Sequence, residues 1–203
     1  RPGAPVAPDI DSLTATEAVR RVCAGQFSSE ALTRAYIQRT QVRTELNAFI
    51  TLDAVGALTA ARAADQRKAG GGPPLPLQGV PVAVKDNIHV ARLPSTAGTR
   101  GLANFTPTAD APVVARLRDA GAVILGKTNM HELAFGVTGY NPAFIAPGNG
   151  VGVRNAYDPT KVAGGSSSGT AAAIASRLAP AGLGTDTGGA VGLPFPLHGS
   201  ASP

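Results

Sequence analysis

Three stretches of this 203-residue chain carry groups that could do chemistry. The first is Lys85, which ends the apolar run Gly79-Val80-Pro81-Val82-Ala83-Val84 and stands beside Asp86 and Asn87. A lysine held in buried, apolar surroundings has a lowered pKa and can serve as a base. The plainer alternative is a strand-end lysine whose amine reaches water. The second stretch is Gly164-Gly165-Ser166-Ser167-Ser168-Gly169. It reads as a serine-rich catalytic turn, as an anion-binding turn at a helix start, or as a flexible Gly/Ser segment. The alanine-rich helix expected straight after it argues against the last. The third is Gly184-Thr185-Asp186-Thr187-Gly188-Gly189. Adjacent glycines let successive amides point at one spot, as an oxyanion site needs; an ordinary turn at a strand end has the same look.

Two further patterns suggest other chemistries. Gly121 to Thr128 fits the phosphate-loop spacing G-x-x-x-x-G-K-[ST], in which a loop after a strand turns its amides toward phosphate. Here the four middle residues, Ala122-Val123-Ile124-Leu125, favour the strand itself, and a helix ending in Arg118-Asp119-Ala120 stands where the strand should precede the loop. His131-Glu132 opens like a zinc motif, but Phe135 occupies the place of the second histidine. With three histidines in the chain, His131 reads as a structural or loop-positioning residue.

The elements that must hold these groups follow from spacing. Thr14-Ala15-Thr16-Glu17 has the pattern of a capping box. The helix it opens has Ala18, Val19 and Val22 on one face and stops at Gly25, and Cys23 reads as a small core residue. Ser28 or Ser29 caps a second helix to about Arg43, burying Leu32, Ala35, Tyr36 and Val42. Ala48 to Leu52 is a strand, and a helix runs from Asp53 to about Ala69. Gly79 to Val84 is a buried strand. Asp110 caps a helix with Pro112 in its first turn, followed by the strand Ala122 to Leu125. A last helix spans Thr170 to about Leu178. Strands alternating with helices predict an α/β fold with a central sheet covered by helices. The first ten residues read as an extended arm on one domain, 1–203. The unpatterned stretch from Gly136 to Gly165 is long enough that a loop there is expected to be functional.

Composition narrows the classes. Hydrophobic residues make up 43% and charged residues 15%, which suits a packed domain and not a disordered chain. No apolar run approaches the ~20 residues that cross a bilayer, and no signal peptide pattern is present. A cytoplasmic protein is the expectation, with no membrane partner. A single cysteine cannot build a disulfide framework. The net charge of +5 comes from scattered Lys and Arg, so no nucleic-acid surface is expected.

Taken together, Gly79 to Asn87, Gly126-Lys127-Thr128-Asn129-Met130 with Glu132, Gly164 to Gly169 and Gly184 to Gly189 resemble the amidase signature family. The resemblance spans about Leu32 to Gly199. The segments His131 to Gly136 and Asn141 to Phe144 look closer to aryl-acetamide and mandelamide hydrolases than to the amidotransferase branch. The resemblance implies a mixed central sheet covered by helices, of which this chain would be the N-terminal half. It implies hydrolysis of a small carboxamide by a Ser–Ser–Lys mechanism without cofactor or metal, and it is compatible with a homodimer. Carried across by motif, Lys85 is the base and Ser166, after a cis peptide, is the bridging serine. Thr187, Gly188, Gly189 and residue 190 supply the oxyanion amides. The nucleophile position falls at Ala190, which has no group that can attack a carbonyl. Gly192 stands where an arginine is usual, and Pro194-Phe195-Pro196 replaces small residues. The resemblance therefore implies an amidase scaffold with crippled catalysis. The alternatives are a non-catalytic chain that binds an amide or acid, and a phosphate-loop nucleotide binder.

Overall fold

The computed structural model describes residues 7–189. Thr14 caps the first helix, α1 (Ala15–Cys23), by accepting the Glu17 amide at 3.2 Å. The other half of the expected capping box is absent, because the Glu17 carboxylate turns to Arg20 and Arg21 instead, at 2.6 and 2.8 Å. Ala18 and Val22 are buried with Val19 packed beside them, whereas Cys23, at the last helical position, is only half-buried. Ser28 caps α2 (Ser29–Val42) through the Ala31 amide. The buried stripe of α2 runs Leu32, Tyr36, Thr40, one residue every turn. Val42 lies off that stripe and is 77% exposed, so its expected burial does not hold. Ala35 is partly buried.

β1 (Phe49–Leu52) leads through Asp53, whose carboxylate accepts the Gly56 amide, into α3 (Ala54–Ala69). β2 (Pro81–Lys85) is fully buried, as its apolar run requires. α4 (Pro112–Asp119) begins with proline in its first turn but has no side-chain cap. Asp110, expected to cap it, accepts the Ala91 amide and pairs with Arg118, which ties the preceding loop down. β3 (Val123–Thr128) is buried throughout. α5 (Ser168–Ala175) starts two residues earlier than its alanine run suggests, within the serine cluster, and β4 (Ala181–Leu183) follows.

The four strands form one mixed sheet in the order β1-β3-β2-β4. β1 runs antiparallel to β3, and β2 runs parallel to both β3 and β4. The central sheet with covering helices is what the alternation of strands and helices predicts, and its mixed pairing is what the family resemblance implies. α1, α2, α3 and Ile174 of α5 pack with Ala83, Val123 and Leu125. α4 packs on the other face against Val84 and Ile124. A register shift inserts an extra residue in β3, so that Val82 pairs Ile124 but Ala83 pairs Gly126. The shift puts Lys127 level with Val84 and Thr128 level with Lys85. Gly126 permits it, since a Cβ there would lie 2.3 Å from the Thr51 carbonyl oxygen. No helix among the described residues is long and apolar enough to cross a membrane.

Candidate active site

Lys85 is the last residue of β2 and is wholly buried. It shares a sheet face with Thr128, whose hydroxyl meets that of Thr170 on α5 at 2.6 Å. α5 is pressed close to the sheet by Gly169, where a Cβ would come within 2.5 Å of the Ala48 carbonyl and of the Asn129 backbone. That close approach delivers the turn before α5 to the Lys85 amine. The Lys85 Nζ lies 2.6 Å from Ser166 Oγ, 3.0 Å from Ser167 Oγ and 2.8 Å from Thr185 Oγ1. The Gly165–Ser166 peptide is cis, as expected at this serine. The turn is also held from behind: His131 N donates to the Ser166 carbonyl, and Gly165 N donates to that of Val137.

Burial disfavours the charged amine and pushes Lys85 down to about 8, against the opposing pull of the Asp186 carboxylate. When charged, the amine donates to the surrounding oxygens. When neutral, its lone pair can take the proton of a neighbouring hydroxyl, and Ser166 is the nearest.

Thr185 is the residue that sequence reasoning missed. Its hydroxyl also accepts from Asn87 Nδ2 at 3.1 Å, so it joins both residues of the Lys85-Asp86-Asn87 run that face the site. The signal was topological. Once β4 lies parallel to β2 with Leu183 level with Val84, the residue two beyond Leu183 must fall beside the end of β2. Ser167, assigned no role from sequence, reaches both Lys85 and Thr185.

The glycine turn after β4 is arranged differently from an open oxyanion site. The amides of Gly188 and Gly189 donate to Asp186 Oδ1 at 3.1 and 2.6 Å, so the turn closes on its own carboxylate. Thr187 and Gly188, with Ala134, Phe135, Gly136, Val137 and Gly165, line a cavity of about 260 Å³ that opens beside the serine turn. Ala190, the expected nucleophile position, lies outside the described residues. A larger cavity of about 420 Å³, between the end of α2 and β1, includes none of the residues around Lys85.

The phosphate-loop spacing belongs to β3, and its Lys127 is buried in an ion pair with Asp86. His131 leads a short turn, with its ring where a Cβ on Gly136 would sit, a packing role in the loop. Among the described residues there is no group of three His, Cys, Asp or Glu side chains that could hold a metal ion.

A family model described as Amidase matches residues 31–199. Mandelamide hydrolase of Pseudomonas putida is 51% identical over 187 residues, covering 92% of this chain and 37% of that protein. A glutamyl-tRNA(Gln) amidotransferase polypeptide of Acidothermus cellulolyticus is 45% identical over 192 residues, covering 94% of this chain and 37% of its own length. The solved structure of peptide amidase from Stenotrophomonas maltophilia superposes with a TM-score of 0.84 at 36% identity, over 91% of this chain and 38% of that one. The chain thus spans well under half the length of the relatives it matches.

Proposed function

The chain belongs to the amidase family, and on that premise we propose that its site is built to hydrolyse a carboxamide C–N bond with Lys85 as base and Ser166 as relay. The observation that carries this reading is the 2.6 Å approach of the Lys85 amine to the Ser166 hydroxyl in a buried setting. In the full reaction, a serine at position 190 attacks the amide carbonyl while its proton passes to Ser166, and the Ser166 proton passes to neutral Lys85. The attack gives a tetrahedral intermediate whose oxyanion is held by the backbone amides of Thr187, Gly188, Gly189 and residue 190. The charged lysine then returns a proton through Ser166 to the leaving nitrogen. The C–N bond breaks, and an acyl-enzyme and an amine or ammonia form. Water repeats the relay and releases the acid.

Gly188 and Gly189 can serve as oxyanion donors only after Asp186 lets go of their amides, so substrate must compete with that carboxylate. The substrate is a small amide seated in the cavity beside Gly165, where Phe135 and Val137 supply an apolar wall. That wall suits an aryl or branched acyl group, in keeping with the similarity to mandelamide hydrolase.

Ala190 gives this chain the scaffold without the nucleophile. Loss of a serine nucleophile costs about 10⁶-fold in kcat in a well-studied hydrolase. The reading for the chain as it stands is therefore binding of an amide or acid without useful turnover. The test is ammonia release from aliphatic and aryl acetamides by the unaltered chain and by Ala190→Ser. Background rates from the first and gained turnover from the second are expected. Clear turnover by the unaltered chain, abolished by Lys85→Ala, would show that the nucleophile lies elsewhere.

A further inference from the structure

The site described uses one of two fully buried lysines. The other, Lys127, sits on the neighbouring strand β3, level with Val84, and so projects to the face of the sheet opposite Lys85. Its amine is 3.0 Å from Asp86 Oδ1, 2.9 Å from Ser95 Oγ and 3.3 Å from the Pro94 carbonyl. Asp86 is also wholly buried, and its second oxygen accepts both the amide and the hydroxyl of Thr96. A buried ion pair of this kind is weak evidence for a stabilising role. Apolar residues of the same volume often do as well or better, because two charges must be stripped of water. What this pair does have is reach. It closes a loop, 94–98, onto the strand end that carries Lys85.

That loop supports the wall of the site. Ala97 N donates to the Asp86 carbonyl, and the Ala97 carbonyl accepts the Leu133 amide at 2.8 Å. The Gly98 carbonyl and the Met130 carbonyl both accept from Asn141 Nδ2, at 2.7 and 2.9 Å. Gly98 is crowded against that same amide, 2.7 Å from where a Cβ would sit, so loop and segment are in direct contact. The segment so held, 130–137, contains His131, which donates to the Ser166 carbonyl, and Val137, which accepts from Gly165. It also contains Ala134 to Val137, one wall of the cavity.

We propose that Lys127 and Asp86 are positioning residues: their buried ion pair fixes the 94–98 loop, and through it the segment that holds the Ser166 turn against Lys85 and shapes the cavity. This assignment rests on the proposed role of Lys85 and Ser166. Its consequence is that slackening the pair on one face of the sheet admits water to the amine on the other.

The charged and titratable surroundings of Lys85 are few. Asp186 faces it from the turn after β4, and α5 brings no ionisable side chain. Asn87, Ser166, Ser167 and Thr185 are neutral, and the Asp86–Lys127 pair lies on the far face with its charges matched.

The experiment uses the whole chain with lysine labelled at Cε, titrated by NMR, with backbone amide exchange recorded alongside. The variants are Lys127→Met, which removes the charge and keeps much of the length, and Ser95→Ala, which removes one partner of Lys127. Lys161→Met, at an exposed lysine, is the control. In both test variants Leu133 amide exchange should quicken by roughly tenfold or more; in Ser95→Ala, which keeps both charges of the pair, the Lys85 midpoint should also rise from about 8 toward the free-lysine range, whereas in Lys127→Met the unmatched Asp86 carboxylate raises that midpoint by itself and Leu133 exchange decides. The control should change neither. If Lys127→Met does not fold, Ser95→Ala decides. Folded variants with Leu133 exchange and the Lys85 midpoint both unchanged overturn the proposal. So does loss of folding in Ser95→Ala, which would assign the cluster to stability alone. A free-lysine midpoint for Lys85 in the unaltered chain defeats the proposed function instead, and Leu133 exchange then still decides whether the pair holds the loop.

Discussion

The Lys85 amine and the Ser166 hydroxyl stand 2.6 Å apart, although 81 residues separate them in sequence. The contact is made by two features that act together. β2 ends in Lys85 without leaving the buried sheet, and α5 begins so close to that sheet that only glycine fits at position 169. Neither the strand nor the turn alone gives the pair. The sheet face common to Lys85 and Thr128, on which α5 rests through Thr170, does.

Asp186 opposes the burial that lowers Lys85, and that sets the sign of the first prediction. A nearby negative charge favours the protonated amine, so removing it must make protonation harder. Asp186→Asn keeps an oxygen for the Gly188 and Gly189 amides while deleting the charge. The Lys85 midpoint, read by lysine NMR, should fall below about 8. The further drop should be small beside the effect of burial, since Asp186 is exposed and screened. An upward shift would contradict the assignment.

The same lowered amine makes stability depend on pH. The unfolded chain holds the Lys85 proton up to about 10.5, whereas the folded chain releases it near 8. Between those values the unfolded state binds more protons, so this group makes stability rise with pH; below about 8 both states are protonated and its cost is constant. The span from 10.5 to 8 corresponds to about 3 kcal/mol. Lys127 is also lowered by burial and adds a slope of the same sign, so the comparison must be between two chains. The stability of Lys85→Met minus that of the unaltered chain, from denaturant unfolding, should shrink by about that amount between pH 7 and pH 11. A difference that stays constant would mean that Lys85 titrates normally.

Gly169 offers a purely steric test. A Cβ there meets the Ala48 carbonyl and the Asn129 backbone within 2.5 Å, all of them main-chain atoms with little freedom to yield. Gly169→Ala should cost about 1–3 kcal/mol or more through overpacking, visible as a lower denaturant midpoint. Gly150→Ala, where nothing lies within 4 Å, should leave the midpoint in place. Equal midpoints for the two variants would show that α5 is free to move off the sheet.

The sequence made the strand of Lys85 legible because an unbroken apolar run before a lysine can only be a buried strand with a polar end. The serine turn and the glycine turn were legible as turns, since runs of Gly and Ser have few other uses next to a helix or strand. Thr185 was not, because its place beside Lys85 depends on β4 pairing with β2, a long-range choice that local pattern does not contain. Val42 misled for a related reason: it is apolar, yet it falls off the Leu32–Tyr36–Thr40 stripe. Asp110 was placed as a cap by its position, but a guanidinium and the Ala91 amide claimed it first. Lys127 read as a phosphate-loop lysine or as part of a family block. Its ion pair was hidden because a register shift of one residue decides which face it occupies.

The last prediction concerns whether Lys85 and Ser166 act as one unit. A relay passes a single proton along Lys85, Ser166 and the nucleophile, so cutting it at either residue stops the same transfer. In an Ala190→Ser background, Lys85→Ala and Ser166→Ala should each lower ammonia release by roughly 10²–10⁴-fold, the usual worth of positioned proton transfer. The double change should cost little more than either single change, because residues that work as a unit are strongly non-additive. The loss should fall on kcat more than on KM, since neither group is needed to seat the amide in the cavity beside Gly165. Ala190→Ser itself should recover only part of a normal rate, because Gly192, Pro194 and Phe195 depart from the arginine and small residues that the family resemblance implies at those places. Losses that multiply in the double variant would mean that Lys85 and Ser166 serve separate steps, and the 2.6 Å contact between them would then be a packing contact and not a path for the proton.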